Sequence, residues 1–432
     1  MAAGSASAVA GCVDLLRDLT SDCEAVADDR EVGGAWPSDA RDAANTGYAP
    51  DESGPAVDAS ERWCFDTESA VRSGIVAADD VVVVTSQGRE RDGPGRVHVV
   101  EAVTGAEGWS VEHGMHSTSS PAVAEDLVLV GSDWPTALIA YDLADGSEQW
   151  RYETDGAVHG SVTVAEGVAY VGSDDDRLHA VDLDTGDDLW TAPADDDVHE
   201  APAAADDLVV FVSQDHRVRA VEADDGSEVW RVDTGEMILA APAVADGTVF
   251  VPNRAGQLRA LELADGDRRW MVDVNELDVA ASIVGAAGAT TGTVAGGRTN
   301  PTTGPGDDDP DPGNDRPPEP PDGINTSPAV TDDTVVVGST TEHVYALDVA
   351  DGSLRWGYGT DRTVGASPVV AGEYVYAGDH DGVVYGLDLA DGTLRWRHET
   401  GRWISSAPAV AEDLLFVAND GATLSCLEPG SV

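Results

Sequence analysis

The chain has 432 residues, and its 81 Asp and Glu residues against 24 Lys and Arg residues give a formal net charge of −57. This charge excludes a general affinity for nucleic acid or for anionic lipid, because both would be repelled electrostatically. Apolar residues make up 42% of the chain, so it is not a disordered acidic polymer, and no apolar run reaches the roughly 18 residues of a membrane-spanning helix.

The acidic residues are spread along the whole sequence, and the basic residues are all Arg, with no Lys. In molar salt the Debye length falls to about 3 Å, so the self-repulsion of such a surface is mostly screened. Arg also binds carboxylates through two parallel hydrogen bonds, which Lys cannot do. We therefore predict a protein from an extreme halophile. The alternative, an acidic surface made for one cationic partner, fits a local acidic block better than this even distribution.

Near the amino terminus, residues 9–12 read VAGC and resemble the signal at which a secreted precursor is cut and lipidated on its cysteine. We predict lipidation of Cys12, with residues 1–12 as the remnant of a signal and residues 13–35 as an acidic tether. The stretch before Cys12 has no basic segment and is short for a signal peptide. Either a signal precedes the given start, or the match is a chance one.

A repeat of about forty residues occupies most of the remaining chain. Each copy has an acidic residue, a Gly four positions later and a Trp eight positions later, as in AYDLADGSEQW at 140–150 and GLDLADGTLRW at 386–396. The spacing is 40 or 41 residues, except for an 86-residue interval before Trp356. The repeated tryptophans are Trp109, Trp150, Trp190, Trp230, Trp270, Trp356 and Trp396.

Each repeat reads as a four-stranded antiparallel sheet. Two short apolar runs flank an acidic turn, an alternating strand follows, a two-residue Asp-Gly or Thr-Gly hairpin comes next, and the last strand carries the Trp. Such a sheet cannot bury both faces alone, so the sheets must stack around an axis as propeller blades. The Trp supplies a large flat surface for that packing. An array of ligand-stacking tryptophans is the alternative.

The pattern A-x-D-x-x-x-G-x-x-x-W resembles the repeat of the pyrroloquinoline-quinone (PQQ)-type β-propellers over about residues 36–432, and WPSDARDAANTGYAP at 36–50 resembles the lead-in of that family. The last repeat has no Trp strand, whereas residues 62–67 match one. We therefore predict an all-β, eight-bladed propeller in which the N-terminal segment, with Trp63, supplies the outer strand of the last blade and leaves no open edge.

The closing blade brings two cysteines near each other. In a two-residue hairpin the residue two before the acid faces the residue after the Trp, so Cys426 should oppose Cys64. We predict a disulfide between Cys64 and Cys426, with two buried thiols as the alternative. Cys23 would then be an odd thiol in the tether.

The long interval holds about 46 extra residues. Residues 278–284 look like a strand entry, and the Gly-, Pro- and Asp-rich stretch within about 285–323 is predicted to be a mobile loop. A decayed half-blade remains an alternative. The acidic run DDDPDPGND departs from the EF-hand pattern, so we predict no cation site there.

Positions that vary between repeats at one face are candidates for function. The first strand of a blade lines the axis, so residues just before it should ring one mouth of the channel, together with the loops between second and third strands, such as 174–177 and 214–217. His159, His199 and Glu200 in adjacent blades are capable of holding a metal, but solvated channel polarity is the simpler interpretation, and we predict no metal. The candidate mouth residues are Arg72, Thr118, His159, His199, Glu200 and Asn325.

The family resemblance implies two function classes. One is a non-enzymatic scaffold that works through protein contacts, as in its outer-membrane assembly lipoproteins; that specific role is not carried over to a halophile. The other is a PQQ-dependent dehydrogenase, with a vicinal cysteine pair, a Ca²⁺ site and a catalytic Asp. No two cysteines are adjacent here, and no metal set can be placed.

We therefore predict a monomeric, extracytoplasmic cell-surface lipoprotein that binds a protein partner. It should use no cofactor, have no catalytic residue, bind no nucleic acid and meet the membrane by its lipid anchor only. The dehydrogenase and a surface sensor of ligands or polymers are the alternatives.

Overall fold

The computed structural model describes residues 23, 25–26, 35–38, 40–78, 80–88, 93–115, 118–277 and 323–430. Cys12, most of the predicted tether, the strand entry at 278–284 and nearly all of the predicted loop at 285–323 lie outside the described residues. The described part contains strands and one short 3₁₀ helix at Val274–Glu276.

Three strands precede the first complete blade, and they are β1 (Ala35–Trp36), β2 (Tyr48–Ala49) and β3 (Ala59–Asp66). Blades 1 to 4 each contain four consecutive antiparallel strands. Their bounds are β4 Val76–Ala78, β5 Val81–Ser86, β6 Pro94–Glu101, β7 Glu107–Met115; β8 Ala122–Ala124, β9 Leu127–Asp133, β10 Thr136–Asp142, β11 Glu148–Glu153; β12 Thr163–Ala165, β13 Val168–Ser173, β14 Arg177–Asp182, β15 Asp188–Pro193; β16 Ala203–Ala205, β17 Leu208–Ser213, β18 Arg217–Glu222 and β19 Glu228–Asp233.

Blades 5 to 7 repeat this pattern, and blade 8 is completed by β3. Their bounds are β20 Ala243–Ala245, β21 Thr248–Pro252, β22 Gln257–Glu262, β23 Arg268–Asp273; β24 Ala329–Val330, β25 Thr334–Ser339, β26 His343–Asp348, β27 Leu354–Gly359; β28 Val369–Ala371, β29 Tyr374–Gly378, β30 Val383–Asp388, β31 Leu394–Glu399; β32 Ala409–Ala411, β33 Leu414–Asn419 and β34 Thr423–Pro429. The predicted eight-bladed propeller, closed by an N-terminal strand paired with β34, is confirmed.

The tryptophans link each blade to the next. The indole N–H of Trp150 donates to the carbonyl of Leu183 in the following blade at 2.9 Å, and a Cβ on Gly186 would meet the Trp150 ring at 2.8 Å. The same kind of bond recurs around the ring. Its donor–acceptor pairs are Trp63–Ala102, Trp109–Leu143, Trp150–Leu183, Trp190–Ala223, Trp230–Leu263, Trp270–Val349, Trp356–Leu389 and Trp396–Pro55.

In blades 1 to 7 the turn before the Trp strand is longer than the predicted two-residue hairpin, so that prediction is wrong. In blade 2, Asp142 ends β10 and Glu148 begins β11, and the N–H of Gly146 donates to the carbonyl of Asp142 at 2.8 Å. Gly146 has φ +72°, a left-handed conformation that glycine adopts at little steric cost. A side chain at Gly146 would also strike the ring of Trp109.

The Trp strand contains a β-bulge that changes the expected pairing. In blade 2, Ala140 pairs with Trp150 but Tyr141 pairs with Glu148, which leaves Gln149 as the extra residue. The same register shift occurs in blade 8, where Trp63 pairs with Cys426 and Cys64 pairs with Ser425. Because side chains alternate between the two faces of a sheet, Cys64 and Cys426 are on opposite faces.

The predicted Cys64–Cys426 disulfide is therefore wrong, and so is the prediction that Cys23 is an odd thiol. Cys64 forms a disulfide with Cys23, and Cys426 is fully buried in the core beside Trp63. The backbone N–H of Val26 also donates to the carbonyl of Thr104 at 2.8 Å. This part of the predicted tether is thus held against the propeller.

Residues 36–38 and 40–47 run past the innermost strands of several blades and bond to them. The carbonyls of Pro37, Ala43 and Ala44 accept hydrogen bonds from the N–H groups of the middle residues of β8, β16 and β20. The carbonyl of Thr46 accepts from the last residue of β24, and that of Gly47 accepts from the middle residue of β28. The side-chain amide of Asn45 donates to the carbonyls of Pro202 and Pro242. This segment, called the plug below, satisfies backbone groups that an inner edge strand would otherwise leave unpaired.

The disulfide gives the first testable prediction. Reduction, or Cys23→Ser, should lower the free energy of unfolding by roughly 2–4 kcal/mol, because the bond restricts the unfolded chain across a 41-residue separation. Urea denaturation with and without reductant, followed by Trp fluorescence in molar salt, measures the difference.

Cys426→Ser is the matched control, and its unfolding should keep the full response to reductant. Peptide mapping of the unreduced protein should recover a Cys23–Cys64 peptide. A Cys64–Cys426 peptide would contradict the structure.

Candidate functional site

The innermost strands all start at one face of the propeller, where the turns between second and third strands also lie. This face, called the mouth, opens into a cavity of about 390 Å³. Five of the six mouth residues chosen from the sequence line the cavity, namely Arg72, Thr118, His159, His199 and Glu200. Asn325 is not among its lining residues.

Two histidines from neighbouring blade entrances meet at the mouth around one carboxylate. His159 precedes β12 and His199 precedes β16, while Asp174 lies in the turn between β13 and β14. Nε2 of His159 lies 3.2 Å from Oδ2 of Asp174, and Nε2 of His199 lies 2.7 Å from its Oδ1. The two imidazole rings are 5.0 Å apart and nearly edge-to-face. Because His159 and His199 occupy equivalent positions in successive blades, the repeat places both imidazoles beside the carboxylate of Asp174.

The other nitrogen of each imidazole has its own neighbour. Nδ1 of His159 lies 3.2 Å from Oδ1 of Asp133, which ends β9. Nδ1 of His199 lies 2.6 Å from the side-chain amide of Gln214, in the turn between β17 and β18. Each ring is therefore oriented from one side by a fixed polar group while its Nε2 faces Asp174.

Negative charge dominates this part of the mouth. The pKa of His159 is raised above its ordinary value, chiefly by its hydrogen bond to Asp133 and also by the charges of Asp133 and Asp174, against the lowering effect of burial. The pKa of Asp197, whose carboxylate lies 3.6 Å from Nε2 of His199, is raised by burial and by the charge of Asp174, with His199 acting in the opposite direction. The carboxylates around His159 and His199 therefore favour a positively charged group in this part of the mouth.

The far side of the mouth has a different arrangement. Arg72 pairs with Asp420 at 3.1 Å, and the hydroxyl of Ser405 donates to the other oxygen of Asp420 at 3.1 Å. Asp420 occupies the same turn in blade 8 as Asp174 does in blade 3. The turn between second and third strands thus supplies the acidic partner on both sides.

A buried ion pair holds the turn that carries Gln214. Arg219 on β18 is 2% exposed, and its guanidinium contacts both carboxylate oxygens of Asp215 and donates to the hydroxyl of Ser213 at 2.7 Å. Burial opposes ionisation of Asp215, but the hydrogen bonds from Arg219 and Ser213 outweigh it and lower the pKa to about 2. Because Gln214 lies between Ser213 and Asp215, the pair fixes the group that contacts His199.

Sequence reasoning missed three members of this cluster. Asp174 and Gln214 fall in loops that the repeat assigned to the mouth, but only the innermost positions were selected as site residues. Asp133 precedes an exposed Trp-Pro pair in the equivalent turn of blade 2. The sequence signal for these three residues is the polar residue that follows the Ser near the end of the second strand, as in Ser132-Asp133, Ser173-Asp174 and Ser213-Gln214.

Within the described residues, no helix has the length and apolar character that crossing a bilayer requires.

Comparisons with known proteins identify relatives of the repeat and of the fold. The sequence profile of the family described as outer membrane protein assembly factor BamB matches residues 55–159, 136–306 and 280–430. No curated protein matches the sequence significantly.

Among solved structures, BamB from Moraxella catarrhalis has a TM-score of 0.63 at 17% identity, covering 86% of this chain and 97% of that one. A computationally designed protein, Ika8, has a TM-score of 0.66 at 15% identity, covering 87% of this chain and 100% of that one. Quinohemoprotein alcohol dehydrogenase from Comamonas testosteroni has a TM-score of 0.68 at 14% identity, covering 92% and 81% respectively. At these identities the likeness shows the fold alone.

The mouth does not fit pyrroloquinoline quinone, the cofactor that the quinoprotein branch implies. This planar aromatic tricarboxylate requires cations and flat apolar surfaces. Arg72 is the only Arg among the cavity-lining residues, and Asp420 already engages it. The only rings among those residues are the imidazoles of His159 and His199, which face carboxylates. The donor set therefore suits a cation rather than a quinone carboxylate.

The Asp215–Arg219 pair gives a prediction for stability. Asp215→Asn should lower the free energy of unfolding at neutral pH by about 3 kcal/mol, because the buried Arg219 keeps only the more distant and more exposed carboxylates of Asp195, at 3.5 Å, and Glu228, at 3.9 Å. Asp215→Asn combined with Arg219→Met is the control and should be less destabilised. Urea denaturation in molar salt measures both, and an unchanged single variant would contradict the assignment.

The same variant has a defined pH dependence. Since the pKa of Asp215 is depressed to about 2 in the folded protein, the pair stabilises fully above the ordinary Asp pKa of about 4. That stabilisation is lost as the pH falls from about 4 towards 2. The difference in unfolding free energy between wild type and Asp215→Asn should shrink in this window.

Proposed function

Because the chain belongs to the family of the outer membrane protein assembly factor BamB, we propose that it is a non-enzymatic scaffold that binds a protein partner with the mouth face. The observation that carries this proposal is one exposed tryptophan on that face. Ten of the eleven Trp residues are buried or half-buried, whereas Trp134 is 67% exposed. It lies in the turn between β9 and β10, next to Asp133.

Trp134 has the properties of a binding anchor. Its indole presents a large apolar surface with one N–H donor, and tryptophan is enriched among the residues that carry most of the binding energy in protein interfaces. The other exposed large apolar side chains include Val229, Met271 and Leu394 on outer strands of three blades. Only Trp134 adjoins the cluster around His159, so an apolar anchor and a polar pocket are adjacent at the mouth.

The charge of the chain limits how such a partner binds. A net charge of −57 repels acidic proteins in dilute buffer, while molar salt screens that repulsion and leaves apolar contacts and short-range hydrogen bonds. We propose that the protein works as a monomer at the cell surface of an extreme halophile, tethered through a lipid on Cys12. The acidic composition, the resemblance of residues 9–12 to a lipidation signal and the family membership support this proposal.

Site-specific crosslinking tests the binding face. A photoreactive amino acid at position 134 should give a discrete adduct on intact cells in native salt, and the same amino acid at Met271 should not. The crosslinked protein is then identified by mass spectrometry and purified. Its affinity for Trp134→Ala should be at least about tenfold lower than for wild type, a loss of about 1.4 kcal/mol.

Met271→Ala is the matched control and should bind the partner as the wild type does. Adducts of the same mass from both positions, or equal affinities of wild type and Trp134→Ala, would contradict the proposed face.

The dehydrogenase alternative has a separate test. We expect no alcohol- or glucose-dependent dye reduction when pyrroloquinoline quinone and Ca²⁺ are added to the purified chain in molar salt. The reason is that Asp420 already engages the one Arg that lines the cavity, and the rings that line it are imidazoles facing carboxylates. A quinone enzyme assayed in its own buffer confirms the reagents. Turnover above the background of the cofactor alone would overturn the scaffold proposal.

A further inference from the structure

The two histidines and the carboxylate at the mouth have the composition of a metal site. We propose that His159, His199 and Asp174 bind one divalent transition-metal cation such as Zn²⁺. This site goes beyond the proposed protein-binding function and does not depend on it.

The donor atoms already converge. One ligand atom from each of the three residues can be chosen so that all lie within 4.8 Å of one another. Zinc bonds to His nitrogen and carboxylate oxygen are about 2.0–2.2 Å long, so ligand atoms around one ion are separated by roughly 3–3.5 Å. The Nε2–oxygen distances of 3.2 and 2.7 Å are close to this range, and small side-chain rotations suffice to seat an ion.

The surroundings of the two imidazoles match those of metal ligands. A ligating histidine usually has its second nitrogen held by a carboxylate, carbonyl or other polar group, which fixes the ring. Oδ1 of Asp133 lies 3.2 Å from Nδ1 of His159, and the amide of Gln214 lies 2.6 Å from Nδ1 of His199. A side-chain amide offers both a donor and an acceptor, so Gln214 accommodates the tautomer in which Nε2 carries the lone pair.

An unsatisfied carboxylate oxygen is a further and independent observation. Oδ1 of Asp174 is buried and accepts no hydrogen bond of acceptable geometry, although Nε2 of His199 lies 2.7 Å away. Buried carboxylate oxygens normally have a partner. A cation bound between Oδ1 of Asp174 and Nε2 of His199 would give both atoms a partner.

The donor set selects the class of metal. Imidazole suits zinc and its neighbours in the first transition row, whereas Ca²⁺ and Mg²⁺ prefer sites made of oxygen atoms alone. Abundant hard cations in a saline medium would therefore not displace the metal. His159 and His199 also line the cavity. With three protein ligands the metal would keep a fourth position for an exchangeable ligand, as in open zinc sites.

Metal titration of the full chain in molar salt tests the site. Chelator-treated protein is titrated with Zn²⁺ by calorimetry and with Co²⁺ by visible absorption, since the absorption bands report inner coordination rather than counterions on the acidic surface. We expect one ion per chain, with affinity at least about 100-fold lower in His159→Gln and His199→Gln. Asp133→Asn should weaken binding about tenfold, because it removes only an orienting partner.

His343→Gln is the matched control, since His343 is a half-buried histidine in blade 6, and it should bind the metal as the wild type does. The far-ultraviolet circular dichroism of each variant verifies folding, and Asp174→Asn replaces any histidine variant that does not fold. The absence of a one-to-one site, or binding unchanged by His159→Gln combined with His199→Gln, would overturn the proposal.

Discussion

The fold depends on one interaction that is repeated at seven of the eight blade boundaries, the contact of a tryptophan with the turn of the next blade. At these boundaries the indole N–H donates to a carbonyl of that turn, and the ring lies on a glycine that has no Cβ to obstruct it. A single tryptophan at each boundary thus provides both a directional hydrogen bond and a large buried apolar surface. The same kind of contact therefore joins successive blades around the ring.

The boundary between blades 7 and 8 keeps the tryptophan hydrogen bond although the turn that usually accepts it is missing. Blade 8 has no hairpin between its third and fourth strands, because β34 and β3 come from opposite ends of the chain. The carbonyl of Pro55 takes the place of the missing turn and accepts from Trp396 at 2.6 Å. The bond between Cys23 and Cys64 then ties the segment preceding the plug to the closing strand. The junction of β34 and β3 is therefore reinforced by contacts that have no counterpart in the other blades.

Features that recur in every repeat can be predicted from the sequence. Features that depend on a bulge within a strand, or on contacts between residues of different repeats, cannot. Strand number, blade number and the role of the closing segment followed from the spacing of Trp63 to Trp396. The pairing of Cys64 failed because a bulge residue such as Gln149 leaves no mark in the hydrophobic pattern, and a one-residue shift moves a side chain to the other face of a sheet. His159 and His199 were found as variable positions. Their shared partner Asp174 was not selected, since it comes from a different turn and only folding brings the three together.

The plug links the inner edges of several blades through one short segment of backbone. The carbonyls of Ala43 and Thr46 accept from β16 and β24, and the side chain of Asn45 donates to the carbonyls of Pro202 and Pro242, which precede β16 and β20. An inner strand therefore cannot move outward without breaking hydrogen bonds to a segment that also holds its neighbours. The strands around the cavity are thus coupled at the centre of the ring as well as at the tryptophan contacts between blades.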